Sequence, residues 1–448
     1  MDATQTLGRL PVGQLLWRFS LPAIVGMLVN ALYNVVDSIF VGQGVGEIGL
    51  TAVTIAFPVM LVMLAFGMLV GIGASTMVSI RLGERDQAAA EQILGNALTL
   101  IVSLSLLLSA IGLIWLDPLL VALGAESDVL PYARTFTGII LAGNVFMHVG
   151  FGINNIIRAE GNPRLAMATM LIAAVLNTIL NPLLLFGLKL GIAGSALATV
   201  ISQLVTAVWV ISHFFSKASV LKFRLRNLRP DRRIINDIIA IGMSPFFMQL
   251  AASIVTVIYN FSLLRYGGDL AVAAMGIVNR VTMLMLMPIF GISQGAQPII
   301  GFNYGARQHD RVLETVKKAI YAASGLSLIG FLLVQTFPYQ IVSLFNGNPQ
   351  LVALSGQGLR LMLSLLPVIG FQAIAAQYFQ AVGKAKYALL FTLSRQVFML
   401  IPMILLLPQL FGLTGIWLAG PTSDLASAVL TGVFLWRELR ALQTAQRM

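Results

Sequence analysis

The chain has 448 residues, of which 58% are hydrophobic and only 10% charged, with a formal net charge of +11 and no cysteine. A soluble globular protein carries about 25% charged residues, so this composition excludes one and turns the apolar excess toward lipid. The missing thiols exclude disulfides, Cys-ligated zinc and iron–sulfur clusters, and the scattered His148, His213 and His309 make no metal-ligand spacing.

A helix needs about 20 apolar residues to cross a bilayer. Six runs near 15–40, 50–77, 94–115, 133–157, 165–187 and 191–215 meet that rule, and six more follow near 236–264, 270–300, 318–337, 354–380, 387–408 and 413–436. The run from Leu15 is too long for a cleaved leader and reads as a retained first span. The predicted fold is an all-α integral membrane protein with twelve transmembrane helices. Lobes are expected at 1–215 and 236–448, joined by a basic linker at 216–235.

Basic residues set the orientation. With both termini cytoplasmic, the inside loops hold Arg81, Arg85, Arg158, Arg164, Arg307, Arg311, Lys384 and Lys386, and the linker adds Lys217, Lys222, Arg224, Arg226, Arg229, Arg232 and Arg233. The outside loops hold Arg134, Lys189 and Arg265. The positive-inside rule selects that orientation. Such tracts suit an anionic leaflet rather than nucleic acid, and the linker reads as solvated and lipid-facing.

The two halves repeat. LGERD (82–86) matches YGARQ (304–308), AEGNPRLAM (159–167) matches AVGKAKYAL (381–389), and GIAGSALA (191–198) matches GLTGIWLA (412–419). Pro22, Pro118 and Pro182 match Pro245, Pro338 and Pro402. Matches in register and in order mean duplication. Six spans per half make the repeats parallel, as in two-lobed secondary transporters. Gly383-Lys384 lies in no P-loop, and HExxH and GxSxG are absent, so ATP hydrolysis by a P-loop and enzymatic chemistry are not expected. An ion gradient is the expected source of energy, with no cofactor.

Asp37 lies among apolar residues in the first span. A carboxylate at mid-membrane costs about 2.5–3.5 kcal/mol on insertion scales and marks a proton or cation site or a packing hydrogen bond. Asn30, Asn34 and Asp37 share one helix face; Asn177 and Asn181, and Ser195 and Thr199, are i, i+4 pairs on the fifth and sixth spans. Together they offer oxygen ligands of the kind a hard cation takes, or they are glue between helices. Pro22, ahead of Asp37, either kinks the first span or starts it. Asp424, Arg280 and Arg395 lie within the later spans, His148 reads as a satisfied interior histidine, and Met275, Met283, Met285 and Met287 read as lipid-facing or as an adaptable surface.

The run SLPAIVGMLVNALYNVVDSIFVGQGVGEIGLTAV (20–53) resembles the first-helix signature of multidrug and toxic compound extrusion (MATE) transporters, in their MepA-like bacterial branch. GFGINNIIRAEGNPRLAM (150–167) and NTILNPLLLFGLKLGIAGSALAT (177–199) resemble the family's fourth-to-sixth span region, and the likeness extends over about residues 10–440. The resemblance implies a V-shaped bundle of two six-helix lobes; a closed two-lobe chain needs no partner, so a monomer in the cell inner membrane is expected. It implies alternating access and export of organic cations or amphiphilic drugs in antiport with Na⁺ or H⁺. The DinF-like cation site carries over to Asp37, Asn177, Asn181 and Thr199, with Ser195 beside them. There Asn181 replaces a carboxylate, which removes one possible charge from a Na⁺ site. Substrate contacts carry over to Asn30, Tyr33, Asn34, Met60, Asn154, Met170 and Gln203, and the bending proline to Pro22. The alternative is a lipid-linked precursor flippase.

Overall fold

In lipid, backbone N–H and C=O groups find partners only inside helices or closed barrels, and this chain takes the helical solution almost throughout. The computed structural model describes the backbone of residues 3–447 and the side chains of residues 6–33 and 35–444. Among the described residues ten helices are long and apolar enough to cross a membrane. The first six are Val12–Gly44, Glu47–Gly83, Gln87–Ile114, Leu130–Ala159, Pro163–Gly187 and Ile192–His213; the others are Arg232–Gly305, His309–Thr336, Ala385–Phe411 and Leu413–Thr444. Gly268, at φ 65° and ψ −166°, breaks the 74-residue Arg232–Gly305 into two spans, 232–267 and 269–305. Pro349–Met362 and Leu366–Ala381, bent by 49° at a short break, form one more. The spans among the described residues thus number twelve.

The duplication is written into the backbone. Left-handed φ values recur in pairs: Gly46 and Gly268, Arg85 and Arg307, Gly161 and Gly383, Gly191 and Gly412. Even ψ is shared, at −139° for Gly191 and −138° for Gly412. The turns close with the same bonds. The Asp86 N–H donates to the Arg81 carbonyl at 2.9 Å, and the Gln308 N–H to the Asn303 carbonyl at 2.8 Å. These are six-residue Schellman closures, which require a left-handed residue after the helix.

Packing divides the chain into two units, one of residues 1–9 and 25–246, the other of residues 10–24 and 247–448. The beginnings of the first and seventh spans are therefore exchanged between the halves, each joining the unit built mainly from the other repeat. Glycines explain this. In the first unit a Cβ on Gly73 would strike the Ile238 carbonyl, and one on Gly242 the Leu69 carbonyl. In the second, a Cβ on Gly291 or Gly295 would come within 3.0 Å of the backbone of Ile24 or Ser20. Helices approach this closely only where side chains vanish, the usual way spans associate without a hydrophobic driving force.

Within the first unit the fourth span packs against the second, third and sixth, and the fifth against the sixth. The second unit repeats much of this: the tenth span packs on the ninth and twelfth, and the eleventh on the twelfth. A buried apolar cluster in the first unit joins Ala52, Ile55 and Met63 to Phe136, Ile140, Leu141 and Ala196. Large apolar side chains such as Ile114, Phe261 and Leu410 stay exposed, as lipid-facing residues do.

The basic linker keeps the side chains of Lys217, Arg226, Arg229 and Arg232 exposed, but its backbone is anchored. Residues 216–235 pack inside the first unit, and side chains of the third span, Gln87–Ile114, hold their backbone. The Asp231 N–H donates to Asn96 Oδ1 at 2.6 Å, the Lys222 N–H to Glu91 Oε1 at 3.2 Å, and Thr99 Oγ1 to the Leu228 carbonyl at 2.8 Å. A backbone this close to buried helix surface must find acceptors and donors there, and Gly95 clears the space by lacking a Cβ beside Asn227.

Candidate functional site

Asp37 is half-buried on the first span. Asn181 Nδ2 donates to its Oδ1, and Ser195 Oγ donates to the same oxygen at 3.3 Å. The second Asn181 amide hydrogen points to Ser195 Oγ at 3.4 Å. Next along the helices, Asn177 Nδ2 donates to Thr199 Oγ1 at 3.0 Å, and that hydroxyl donates to the Ser195 carbonyl at 3.2 Å. The two i, i+4 pairs thus form a ladder, Asn177 on Thr199 and Asn181 on Ser195, between the antiparallel fifth and sixth spans. Asn177, Asn181, Ser195 and Thr199 are all buried.

The ladder is locally determined. Asn181 precedes Pro182, and beyond it Leu183–Gly187 winds as a π-helix. Proline cannot donate a backbone bond, and π-turns concentrate at functional sites. Gly194, beside Ser195, lets the sixth span touch the Leu184 backbone, where a Cβ would not fit. Both recorded bonds to Asp37 end on Oδ1; the described side chains place no donor on Oδ2. Asn181 Oδ1 is buried without a hydrogen-bond partner among the described residues. Buried polar atoms are nearly always satisfied, so this oxygen is available to a ligand.

The other expected site residues fall in several environments. Tyr33 is half-buried one turn before Asp37, and Asn30 is exposed. The side chain of Asn34 lies outside the described residues. Met170 seats its sulfur against Gly26 of the first span, where any Cβ would collide. Met60 packs on the apolar cluster of the second and fourth spans. Asn154 is buried, with its Nδ2 on the Ala166 carbonyl at 3.2 Å and its Oδ1 without a hydrogen-bond partner among the described residues. Gln203 is half-buried, and its carbonyl accepts from Thr206 Oγ1 at 2.8 Å. Pro22 is buried in an uninterrupted helix, two residues before the point where the first span passes from one packing unit to the other.

His148 is satisfied at both ring nitrogens. Its Nε2 faces the Met63 carbonyl at 2.6 Å and therefore carries a proton, and Nδ1 meets Ser105 Oγ at 2.7 Å. In the second unit Arg395 Nε pairs with the buried Asp424 carboxylate at 2.7 Å, and Arg280 is exposed. Met275 and Met287 are buried, whereas Met283 faces outward.

Sequence reading passed over one buried cluster. Glu160, fully buried, accepts from His213, from Asn162 Nδ2 at 3.0 Å and from Ser219 Oγ at 2.9 Å. Its only signal was an acidic residue in the turn AEGNP, and His213 and Ser219 lie 53 and 59 residues away along the chain.

The MatE family model matches residues 22–183 and again 245–405. Multidrug export protein MepA of Staphylococcus aureus (strain MRSA252) is 26% identical over 438 residues, covering 97% of this chain and 96% of its own. The solved structure of the MATE multidrug transporter DinF-BH is 40% identical, covers 95% of each chain and has a TM-score of 0.88. An outward-facing multidrug resistance MATE family transporter of the MOP superfamily is 27% identical, covers 99% of each chain and has a TM-score of 0.93. The flippase alternative finds no support among these relatives.

Proposed function

Because the chain belongs to the MatE family of membrane transporters, we propose that it exports organic cations or amphiphilic drugs across the cell inner membrane by antiport with Na⁺ or H⁺. The observation that carries the reading is Asp37, an intramembrane carboxylate hydrogen-bonded by Asn181 and Ser195. Ionisable groups at such depth mark ion paths by default, and relatives named as multidrug exporters or transporters share most of the chain's length.

The cycle turns on charge. The cation-free carboxylate is held by the Asn181 amide and the Ser195 hydroxyl. A proton neutralises it directly. A Na⁺ ion requires oxygen ligands, and rotating the Asn181 amide by half a turn replaces its N–H₂ with the unpartnered Oδ1. Asn177 and Thr199 brace the ladder through that change. One carboxylate carries one charge, so one monovalent cation leaves the site neutral. A cationic drug and the coupling ion then compete for a single negative charge. Tyr33, Asn30, Asn34, Met60, Asn154, Met170 and Gln203 are the proposed substrate contacts, and Pro22 is the proposed bending point of the first span. Both termini face the cytoplasm, by the distribution of Lys and Arg. The protein needs no cofactor and works as a monomer.

The test is efflux of a fluorescent cationic dye from proteoliposomes with a Na⁺ gradient or a pH gradient imposed separately. Efflux driven by one of them identifies the coupling ion. Absence of efflux with both gradients, in protein verified as correctly inserted, overturns antiport of that dye.

A further inference from the structure

The segment between the sixth and seventh spans is too well anchored for a simple tether. Its inner side is held by Glu91, Asn96, Thr99 and Glu160 of the first unit. Most of these bonds go to its backbone, which leaves the side chains to be directed elsewhere. Arg224 spends its Nε on Glu91 Oε2 at 2.8 Å. Arg226, Arg229 and Arg232 are exposed and take part in no ion pair among the described residues. The nearest acid of the segment, Asp231, accepts from the Arg233 N–H at 2.8 Å. Amid these bases stand two large apolar side chains, Leu225 at 78% and Phe215 at 67% exposure. Phe215 follows the last residue of the sixth span, His213, by two positions. That places it where the hydrocarbon ends and the headgroups begin.

Exposed bases alone suit any anion. Phe215 exposed at the end of the sixth span and Leu225 exposed among the bases suit a partner with an apolar layer beneath its charge, which is the pattern of interfacial lipid-binding segments. We propose that residues 215–233 are a preorganised strap that binds anionic phospholipid headgroups, with the three free arginines on the phosphates and Leu225 and Phe215 in the acyl boundary. The proposal rests on the transport reading only for the side of the membrane that the strap faces. Because the backbone is already ordered, binding forfeits little conformational freedom.

The test uses the full chain in detergent, titrated with phosphatidylglycerol or phosphatidylcholine and read by intact mass spectrometry. Wild-type protein is expected to retain phosphatidylglycerol preferentially. Arg226→Gln/Arg229→Gln/Arg232→Gln is expected to lower that preference about a hundredfold, by loss of the attraction each base has for an anionic surface. Leu225→Ser is expected to weaken retention of the lipid while leaving its charge preference. A control, Arg9→Gln/Lys317→Gln/Lys386→Gln, removes three bases outside the strap and is expected to leave the preference intact. The proposal is overturned by no preference in the wild type, by an unchanged preference in the strap variant, or by an equal loss in the control. Displacement of the lipid by an equal concentration of inorganic phosphate also overturns it, in favour of a soluble-anion site. No ion gradient enters the measurement, so a failure here leaves the antiport reading standing, and the reverse.

Discussion

A carboxylate inside a membrane persists only if something compensates its charge, and at Asp37 the described compensation is two neutral donors, Asn181 and Ser195. That arrangement leaves the anion intact for a mobile cation. Asp37→Asn keeps the shape and the hydrogen-bonding capacity but removes the charge. It is expected to abolish gradient-driven dye efflux while the protein elutes and melts as the wild type does; wild-type efflux rates in the mutant would sink the coupling role. The second unit solves the same problem differently, since Asp424 is neutralised by a tethered cation, Arg395. Arg395→Ala strands that carboxylate and is expected to cost about 3–5 kcal/mol, the range for breaking a buried pair. Arg395→Leu/Asp424→Leu is expected to recover most of the loss. A thermal melt checks both, and a single mutant as stable as the double would show that the pair carries no such energy.

At the level of elements, the turns decide where spans stop. Gly268 and Gly276 both face open space, but Gly268 has φ +65° whereas Gly276 is helical. Alanine therefore separates conformation from crowding. Gly268→Ala is expected to destabilise by about 1–3 kcal/mol, the cost of a forced backbone region. Gly276→Ala is expected to be neutral or to stabilise by up to about 1 kcal/mol. Equal melting shifts for the two would contradict that account. The corresponding turns of the two repeats are also tied down with opposite polarity. Glu160 reaches His213 of the sixth span, whereas Lys384 reaches Glu438 of the twelfth. Duplication preserved the place of the contact and not its charge.

For the whole molecule, the asymmetric distribution of Lys and Arg is the main determinant of orientation. The absence of native cysteine makes this easy to examine. Ser127→Cys in the third-to-fourth connection is expected to react with a membrane-impermeant maleimide on intact cells. Gln308→Cys in the eighth-to-ninth connection is expected to react only after permeabilisation; the reverse labelling would invert the topology. Both positions are exposed.

Much of this was legible in the chain itself. Composition dictates a membrane protein because too few charges exist to cover a soluble surface. Run length yields twelve spans because bilayer thickness sets helix length, and residue offsets reveal duplication because turns keep their residues. Asp37 stood out because charge in lipid is costly wherever it points. One matched turn was hidden: around Gly46 and Gly268 the repeats share little more than a glycine followed by an acid and an aliphatic residue. Only the tertiary structure pairs Asn181 with Asp37 and Ser195, Asn177 with Thr199, and Arg395 with Asp424. It alone docks the linker on Asn96 and Glu91, and moves residues 10–24 and 232–246 into opposite units. Helical spacing tells which residues share a face, but contacts between helices depend on each span's rotation and register against its neighbour, which close packing of distant segments sets.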